Sequence, residues 1–163
     1  MSMKPAVTSG SSAVRQVVCA SPEATQALAA ALARAARAGD LVALEGELGA
    51  GKTQFAKGFG AGLGVTATIN SPSYVLMAEY DGRLPLFHLD LYRLDDASDA
   101  LSGGLLDERQ AAGVTLVEWP DRLGPALPAD RLEVAFSGSG DDPRTIRLTA
   151  TEPGLERYLA AIP

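Results

Sequence analysis

Apolar residues along the chain fall into short clusters separated by glycine, proline and polar runs, and the spacing within each cluster predicts its secondary structure. Residues 14–19 read as a short strand. Ser21 then stands as a helix cap, with Pro22 in the first helical position and Glu23 inside the first turn, where its charge meets the positive end of the helix dipole. The alanine-rich run that follows sets Leu28 and Leu32 one turn apart and carries Arg34 and Arg37 near its end. It predicts a helix to Ala38, stopped by Gly39. Residues 41–44 are a continuous apolar run, as expected of a strand covered on both faces, and lead into a glycine-rich segment at 46–53. A helix is predicted from residue 52 to about residue 62.

Further along, residues 74–80 and 84–91 flank Asp81-Gly82 and predict a hairpin, with Pro85 marking one side of the second strand as an edge. Residues 95–112 read as helical turns interrupted by Gly103-Gly104. Residues 114–117 predict a buried strand that ends at Glu118 and is stopped by Pro120. A final hairpin is expected from 131–136 and 145–149, followed by a weakly patterned terminal helix at 154–161. Strands alternating with helices, plus two hairpins, predict an α/β fold with a mainly parallel sheet, helices on both faces and added antiparallel hairpins. Residues 1–12 read as a flexible tail and 13–163 as a single domain, with no internal repeat.

Composition narrows the function classes. Apolar residues make up 47% of the 163 and charged residues 21%, an ordinary globular balance. Fourteen Lys and Arg against twenty Asp and Glu give a net charge of −6, which disfavours a general binder of nucleic-acid backbones or anionic membranes. One cysteine, Cys19, excludes an internal disulfide framework, and one histidine beside it excludes a conventional zinc site. No run of eighteen apolar residues and no basic-then-apolar leader occurs, so a cytoplasmic protein is expected.

The chemistry is concentrated in four motifs. Gly46, Gly51, Lys52 and Thr53 satisfy the phosphate-loop pattern G-x-x-x-x-G-K-[ST], which such a chain would match by chance only about once in a few hundred tries. The backbone of such a loop curls around a phosphate, its lysine meets the outer phosphates, its threonine hydroxyl binds magnesium, and the helix that follows offers its positive end. Glu118, at the carboxyl end of an apolar strand, is placed to help hold that magnesium beside Thr53. The alternation of His88-Leu89-Asp90-Leu91-Tyr92-Arg93 puts His88, Asp90 and Tyr92 on one strand face; Asp90 suits holding a magnesium-bound water or orienting the attacking one, and His88 reads as a structural histidine. The hydroxyl-rich stretch 68–73, with Ser71 and Ser73, reads as either a nucleotide-sensing loop or an ordinary turn. Trp119 follows Glu118 directly and reads as packing on the edge of the site or as partly buried core. Leu101-Ser102-Gly103-Gly104 imitates the signature of transporter ATPases, but it lies ten residues before the Val114 strand in a chain too short for that domain, and is treated as chance.

Taken in order and spacing, GELGAGKT, SPSY, HLDLYR and VEWPDR resemble the TsaE family, formerly YjeE, over residues 25 to 136. The resemblance implies a three-layer P-loop NTPase-like fold and an ATP-hydrolysing component of bacterial tRNA threonylcarbamoyladenosine biosynthesis that acts with the TsaB and TsaD proteins. It further implies that Leu48, Gly49, Ala50, Gly51, Lys52 and Thr53 hold the phosphates of ATP, that Thr53 and Glu118 bind Mg2+, and that Asp90 and Glu118 are needed for hydrolysis. By the same resemblance tRNA is reached only through the complex. Two departures stand out: Ser73 replaces a usual threonine, and ALSGGLLDERQ replaces a more regular acidic pattern. Arg144 or the loop before it is expected to border the adenine. The competing readings are a P-loop kinase of a small metabolite and a non-catalytic nucleotide-binding scaffold. A small GTPase is disfavoured because Asn70, the single asparagine, is not part of N-K-x-D.

Overall fold

Leu41, Val42, Ala43 and Leu44 are all buried, so the strand they begin must be covered on both sides. In the computed structural model, which describes residues 13–47, 49–70, 77–93 and 108–163, that strand, β2 (Leu41–Glu45), lies at the centre of a seven-stranded sheet. The others are β1 (Ala13–Cys19), β3 (Met77–Tyr80), β4 (Leu86–Asp90), β5 (Val114–Glu118), β6 (Leu132–Ser137) and β7 (Arg144–Ala150). Their order is β1-β7-β6-β2-β5-β4-β3. The four central strands β6, β2, β5 and β4 run parallel, and antiparallel strands extend the sheet at both ends: β7 and β1 beyond β6, β3 beyond β4. The α/β class and the hairpins therefore stand as the sequence predicts.

Alternation along each strand divides the core. Val42, Leu44, Val114, Leu116, Leu132 and Val134 face the helices α1 (Pro22–Ala33), α2 (Lys52–Gly62) and α3 (Glu156–Ala160). Leu41, Ala43, Phe87, Leu89 and Val117 face the other way, onto Leu123. Leu123 belongs to a 3-10 segment, Pro120–Ala126, that was not expected; Pro125 and the non-helical Gly124 inside it keep it from becoming a regular helix. Among the described residues the α-helices share the first face. The expected tail at 1–12 and most of the helical stretch expected at 95–112 lie outside the described residues; its last part, Glu108–Ala112, is a 3-10 turn.

Two boundaries differ from expectation for identifiable reasons. Helix α1 has the expected Ser21 cap, whose side chain accepts from the Ala24 N–H at 3.1 Å, but it ends at Ala33 rather than Ala38. The amides of Ala35 and Ala36 tighten onto the carbonyls three residues back, and Arg83 and Arg157 reach in from distant parts of the chain to the carbonyls of Ala33, Ala35 and Ala36. Pro85 does not make β4 an edge. It precedes the strand, and its carbonyl accepts from the Val114 N–H at 2.9 Å, so β3 is the edge and β4 is internal.

The start of β2 is tied to α3 through Asp40, whose carboxylate accepts from the Arg37 N–H, the Arg157 guanidinium and the Tyr158 hydroxyl. Burial first, and the Asp40 carboxylate second, push the Tyr158 hydroxyl well above the ordinary tyrosine range. Helix α2 is held close against α1. A β-carbon on Gly58 would lie 2.2 Å from the backbone carbonyl oxygen of Gln26, so no larger residue fits unless the helices part. Beside it the Gln26 amide donates to the Gln54 side-chain oxygen at 2.6 Å.

Gly58→Ala should therefore lower stability by about 1–3 kcal/mol through overpacking, although alanine is the better helix former by about 1 kcal/mol. Urea unfolding checks this. An unchanged or higher midpoint would show that the α1–α2 contact yields freely.

Candidate functional site

The carboxyl ends of β2, β5 and β4 are adjacent, and each delivers a candidate group to one edge of the sheet. From β2 the chain turns through the glycine-rich segment 46–53 into α2. Gly51 stands at the helix cap with φ +110°, a conformation that strongly favours glycine. Lys52 and Thr53 are then the first two residues of α2, and Gly49 and Ala50 precede them in the loop. Leu48, expected to contribute to the phosphate loop, lies outside the described residues, as do Ser71 and Ser73.

Lys52 is 5% exposed. Its ammonium donates to the Gly46 carbonyl at 2.6 Å and lies 4.0 Å from the centre of the Trp119 ring, a cation–π distance. Burial pulls its pKa below the ordinary lysine range, while the carboxylates of Glu118 and Asp90 push it back up. The loop's own backbone and an aromatic face thus satisfy the charge.

Asp90 and Glu118 are the last residues of β4 and β5 and stand opposite each other in the parallel register. Glu118 is 3% exposed. The Asp90 carboxyl is raised above the usual aspartate range, chiefly by burial; the Tyr92 N–H, donating to it at 3.1 Å, opposes that rise, and the Glu118 charge adds to it. His88 lies on the same face two residues earlier, and its Nε2 is 2.6 Å from Glu118 Oε2. The sequence-predicted Lys52, Asp90 and Glu118 are thus brought together, and Thr53 adjoins them on the first turn of α2.

A hard divalent cation suits this donor set. Magnesium takes oxygen ligands and keeps several positions for water and phosphate, so it needs only one or two protein ligands. Among the described residues no group of three or more His, Cys, Asp or Glu forms an all-protein cage. A buried carboxylate facing a phosphate-loop helix fits a metal delivered with a nucleotide.

The structure adds detail at three residues that the sequence already singled out. Trp119 has φ +59°, the one described non-glycine residue in the left-handed region, and this turn lays its ring near Lys52 and 4.9 Å from that of Tyr92. Arg144, at the start of β7, donates to the carbonyls of Ala50 at 3.0 Å and Gly49 at 3.1 Å, as well as to Gly140 in its own hairpin. In a trans peptide the N–H points opposite to the C=O, so the arginine that holds the Ala50 carbonyl also turns the Gly51 N–H away from itself. No local signal marks this partnership, since 94 positions separate Arg144 from Ala50. His88, read as structural, has a carboxylate partner in the site.

Arg144 also lines a cleft of about 400 Å³ with Cys19, Ser21, Gln54, Asp141 and Asp142. Gly49 and Gly51 of the loop also line the cleft. Burial raises the Cys19 thiol above its ordinary pKa, so it acts there as an apolar wall.

Comparison with known proteins gives the family and the fold. The family model described as threonylcarbamoyl adenosine biosynthesis protein TsaE matches residues 19–146. A Bacillus subtilis protein named tRNA threonylcarbamoyladenosine biosynthesis protein TsaE is 48% identical over 130 residues, covering 79% of this chain and 81% of the relative. A relative of the same name from Nostoc is 36% identical over 139 residues, covering 82% and 85%. The crystal structure of YdiB from Bacillus subtilis superposes with a TM-score of 0.77 at 36% identity, over 92% of this chain and 94% of that one. With the match spanning most of the chain, the sheet and the phosphate loop together, the protein belongs to the TsaE family of threonylcarbamoyl adenosine biosynthesis proteins.

Proposed function

We propose that this TsaE-family chain is a magnesium-dependent ATPase of tRNA threonylcarbamoyladenosine biosynthesis, working with TsaB and TsaD and reaching tRNA through that complex. The observation that carries the reading is the convergence of Lys52, Glu118 and Asp90 at adjacent strand ends beside the first turn of α2. ATP is the natural ligand of such a site, its phosphates over residues 48–53 and its nucleoside in the cleft lined by Arg144, Gln54 and Asp142. That volume is in the range of small-molecule pockets. A cytoplasmic location is consistent with the absence, among the described residues, of any helix long and apolar enough to cross a membrane.

Each residue then has a physical task. Lys52 exchanges the Gly46 carbonyl and the Trp119 ring for a phosphate oxygen, trading a neutral acceptor for a charged one. Thr53 and Glu118 would hold Mg2+, which when bound neutralises charge on the outer phosphates. Asp90, made more basic by burial, orients the attacking water and accepts its proton. The metabolite-kinase alternative needs an acceptor pocket besides the nucleoside cleft, and phosphate transfer to an added acceptor would distinguish it.

Lys52→Ala should weaken ADP binding by about 10- to 100-fold, the size of a lost charge-assisted hydrogen bond. Isothermal calorimetry reads this, and wild-type affinity would remove Lys52 from the phosphate site.

Asp90→Asn should slow hydrolysis by about 10²-fold or more while leaving ADP binding nearly intact. The same variant should melt at a higher temperature near neutral pH. Because the folded-state pKa of Asp90 is raised, its contribution is favourable only while the carboxyl is protonated and is lost as pH rises through that pKa; an amide avoids the loss. The stability gain should fade as the pH is lowered towards the ordinary aspartate range. Near wild-type turnover would contradict the role in hydrolysis, and a lower melting temperature at neutral pH would contradict the electrostatic argument.

Hydrolysis by the isolated chain should be slow and should rise when TsaB and TsaD are added, since completing charge neutralisation at a phosphoryl group is worth about 10³ to 10⁵ in rate. Free tRNA alone should stimulate little, given the net charge of −6. Fast turnover unresponsive to those proteins would point to an independent enzyme.

A further inference from the structure

His88 is a fully buried polar side chain with an unusual hydrogen-bond balance. It is 0% exposed, its Nε2 lies 2.6 Å from Glu118 Oε2, and its Nδ1 finds no hydrogen-bond partner among the described residues. This arrangement determines where the proton sits. A proton on Nδ1 would bury a donor with no acceptor, whereas a proton on Nε2 is received by the carboxylate; the ring is therefore the Nε2–H tautomer, donating to Glu118.

The sheet register explains how the two meet. His88 pairs directly with Leu116, and Glu118 is two residues further along β5 on the same face, the diagonal position that long side chains can span. Leu86 and Leu116 beside them are fully buried, so the ring is closely packed. A rigid ring thus fixes one carboxylate oxygen of a side chain that otherwise has several rotatable bonds.

We propose that His88 is a positioning residue for Glu118: its Nε2–H holds Oε2 and sets the carboxylate plane before a metal-bearing nucleotide arrives. The role rests on the reading of Glu118 as a magnesium-holding group. Magnesium tolerates little departure from octahedral geometry, so an oriented carboxylate should bind it better than a free one. Removing a hydrogen-bond partner behind a metal-holding group commonly costs 10- to 100-fold in metal affinity. The opposite outcome is also physically definite. If the bond instead held Glu118 away from the metal, its loss would tighten magnesium binding.

Trp119 provides the readout, because Lys52 lies against its ring and this is the single tryptophan of the chain. ADP is titrated in excess EDTA, and then at fixed ADP with rising Mg2+, for the parent protein, His88→Leu and His88→Gln. His88→Leu removes the donor, and His88→Gln places an amide donor at similar reach. We expect His88→Leu to keep its EDTA affinity for ADP within about threefold while needing about 10- to 100-fold more Mg2+ for half-effect, and His88→Gln to recover most of that loss. Circular dichroism establishes folding; if His88→Leu is too unstable to titrate, His88→Asn, whose shorter amide stops short of Glu118, is read the same way. An unchanged or lower Mg2+ requirement in the donor-free variant would overturn the positioning role, as would a loss that His88→Gln fails to recover. If the parent protein itself binds ADP without regard to Mg2+, the metal-site reading falls, and this role falls with it.

Discussion

Charges buried at the edge of a sheet are the constraint on which the rest of this structure depends. Taking an ammonium or a carboxylate out of water costs several kcal/mol each unless partners replace the solvent. Lys52 and Glu118 are both almost wholly buried. The structure meets this with a mutual field: Glu118 and Asp90 hold the proton on Lys52 against the effect of burial, while Lys52 helps keep Asp90 ionised. Short-range partners finish the task, the Gly46 carbonyl and the Trp119 ring for Lys52 and the His88 ring for Glu118. A nucleotide with its metal brings charges of the opposite sign to each of these groups. Such a site gains more from its ligand than a solvated one, because the protein has already met the cost of dehydration.

Holding these charges in register requires a stiff frame. The parallel pairing of β4 with β5 sets Asp90 beside Glu118, and that of β5 with β2 brings both to the strand from which the phosphate loop springs. Helix α2 cannot drift from this edge, because Gly58 brings it into backbone contact with α1, and α1 is in turn held at its end by Arg83 and Arg157. On the far side, Arg144 ties the loop carbonyls to the β6–β7 hairpin. The loop is thereby fixed from two directions, by its helix and by a hairpin remote in sequence.

Much of this was legible in the sequence where local chemistry decides the outcome. The β2 run of buried apolar residues, the Ser21 cap with Pro22, and Gly51-Lys52-Thr53 each carry their own physical reason, and each forms the element expected. What was not legible depends on partners far along the chain. Helix α1 stops at Ala33 because arginines from residues 83 and 157 take its carbonyls, and nothing in the alanine run announces them. Pro85 looked like an edge marker, but its position one residue before β4 leaves the strand free to pair on both sides. His88 was read as structural because a histidine in an alternating strand carries no sign of what lies diagonally across the sheet. The positions of Asp90 and Glu118 at strand ends were legible from their motifs, and the geometry adds that they are paired neighbours.

The central claim is that a metal-bearing nucleotide replaces the partners of the Lys52 ammonium and brings its cation to Glu118, which keeps its bond to His88. A crystal structure of the protein with ADP and Mn2+, the ion located by its anomalous scattering, tests it most directly. The account predicts a manganese peak within ligand distance of Thr53 and Glu118, with the Lys52 ammonium on phosphate and no longer on the Gly46 carbonyl. A nucleotide bound elsewhere, or one bound while Lys52 still rests on Gly46 and Trp119, would contradict it.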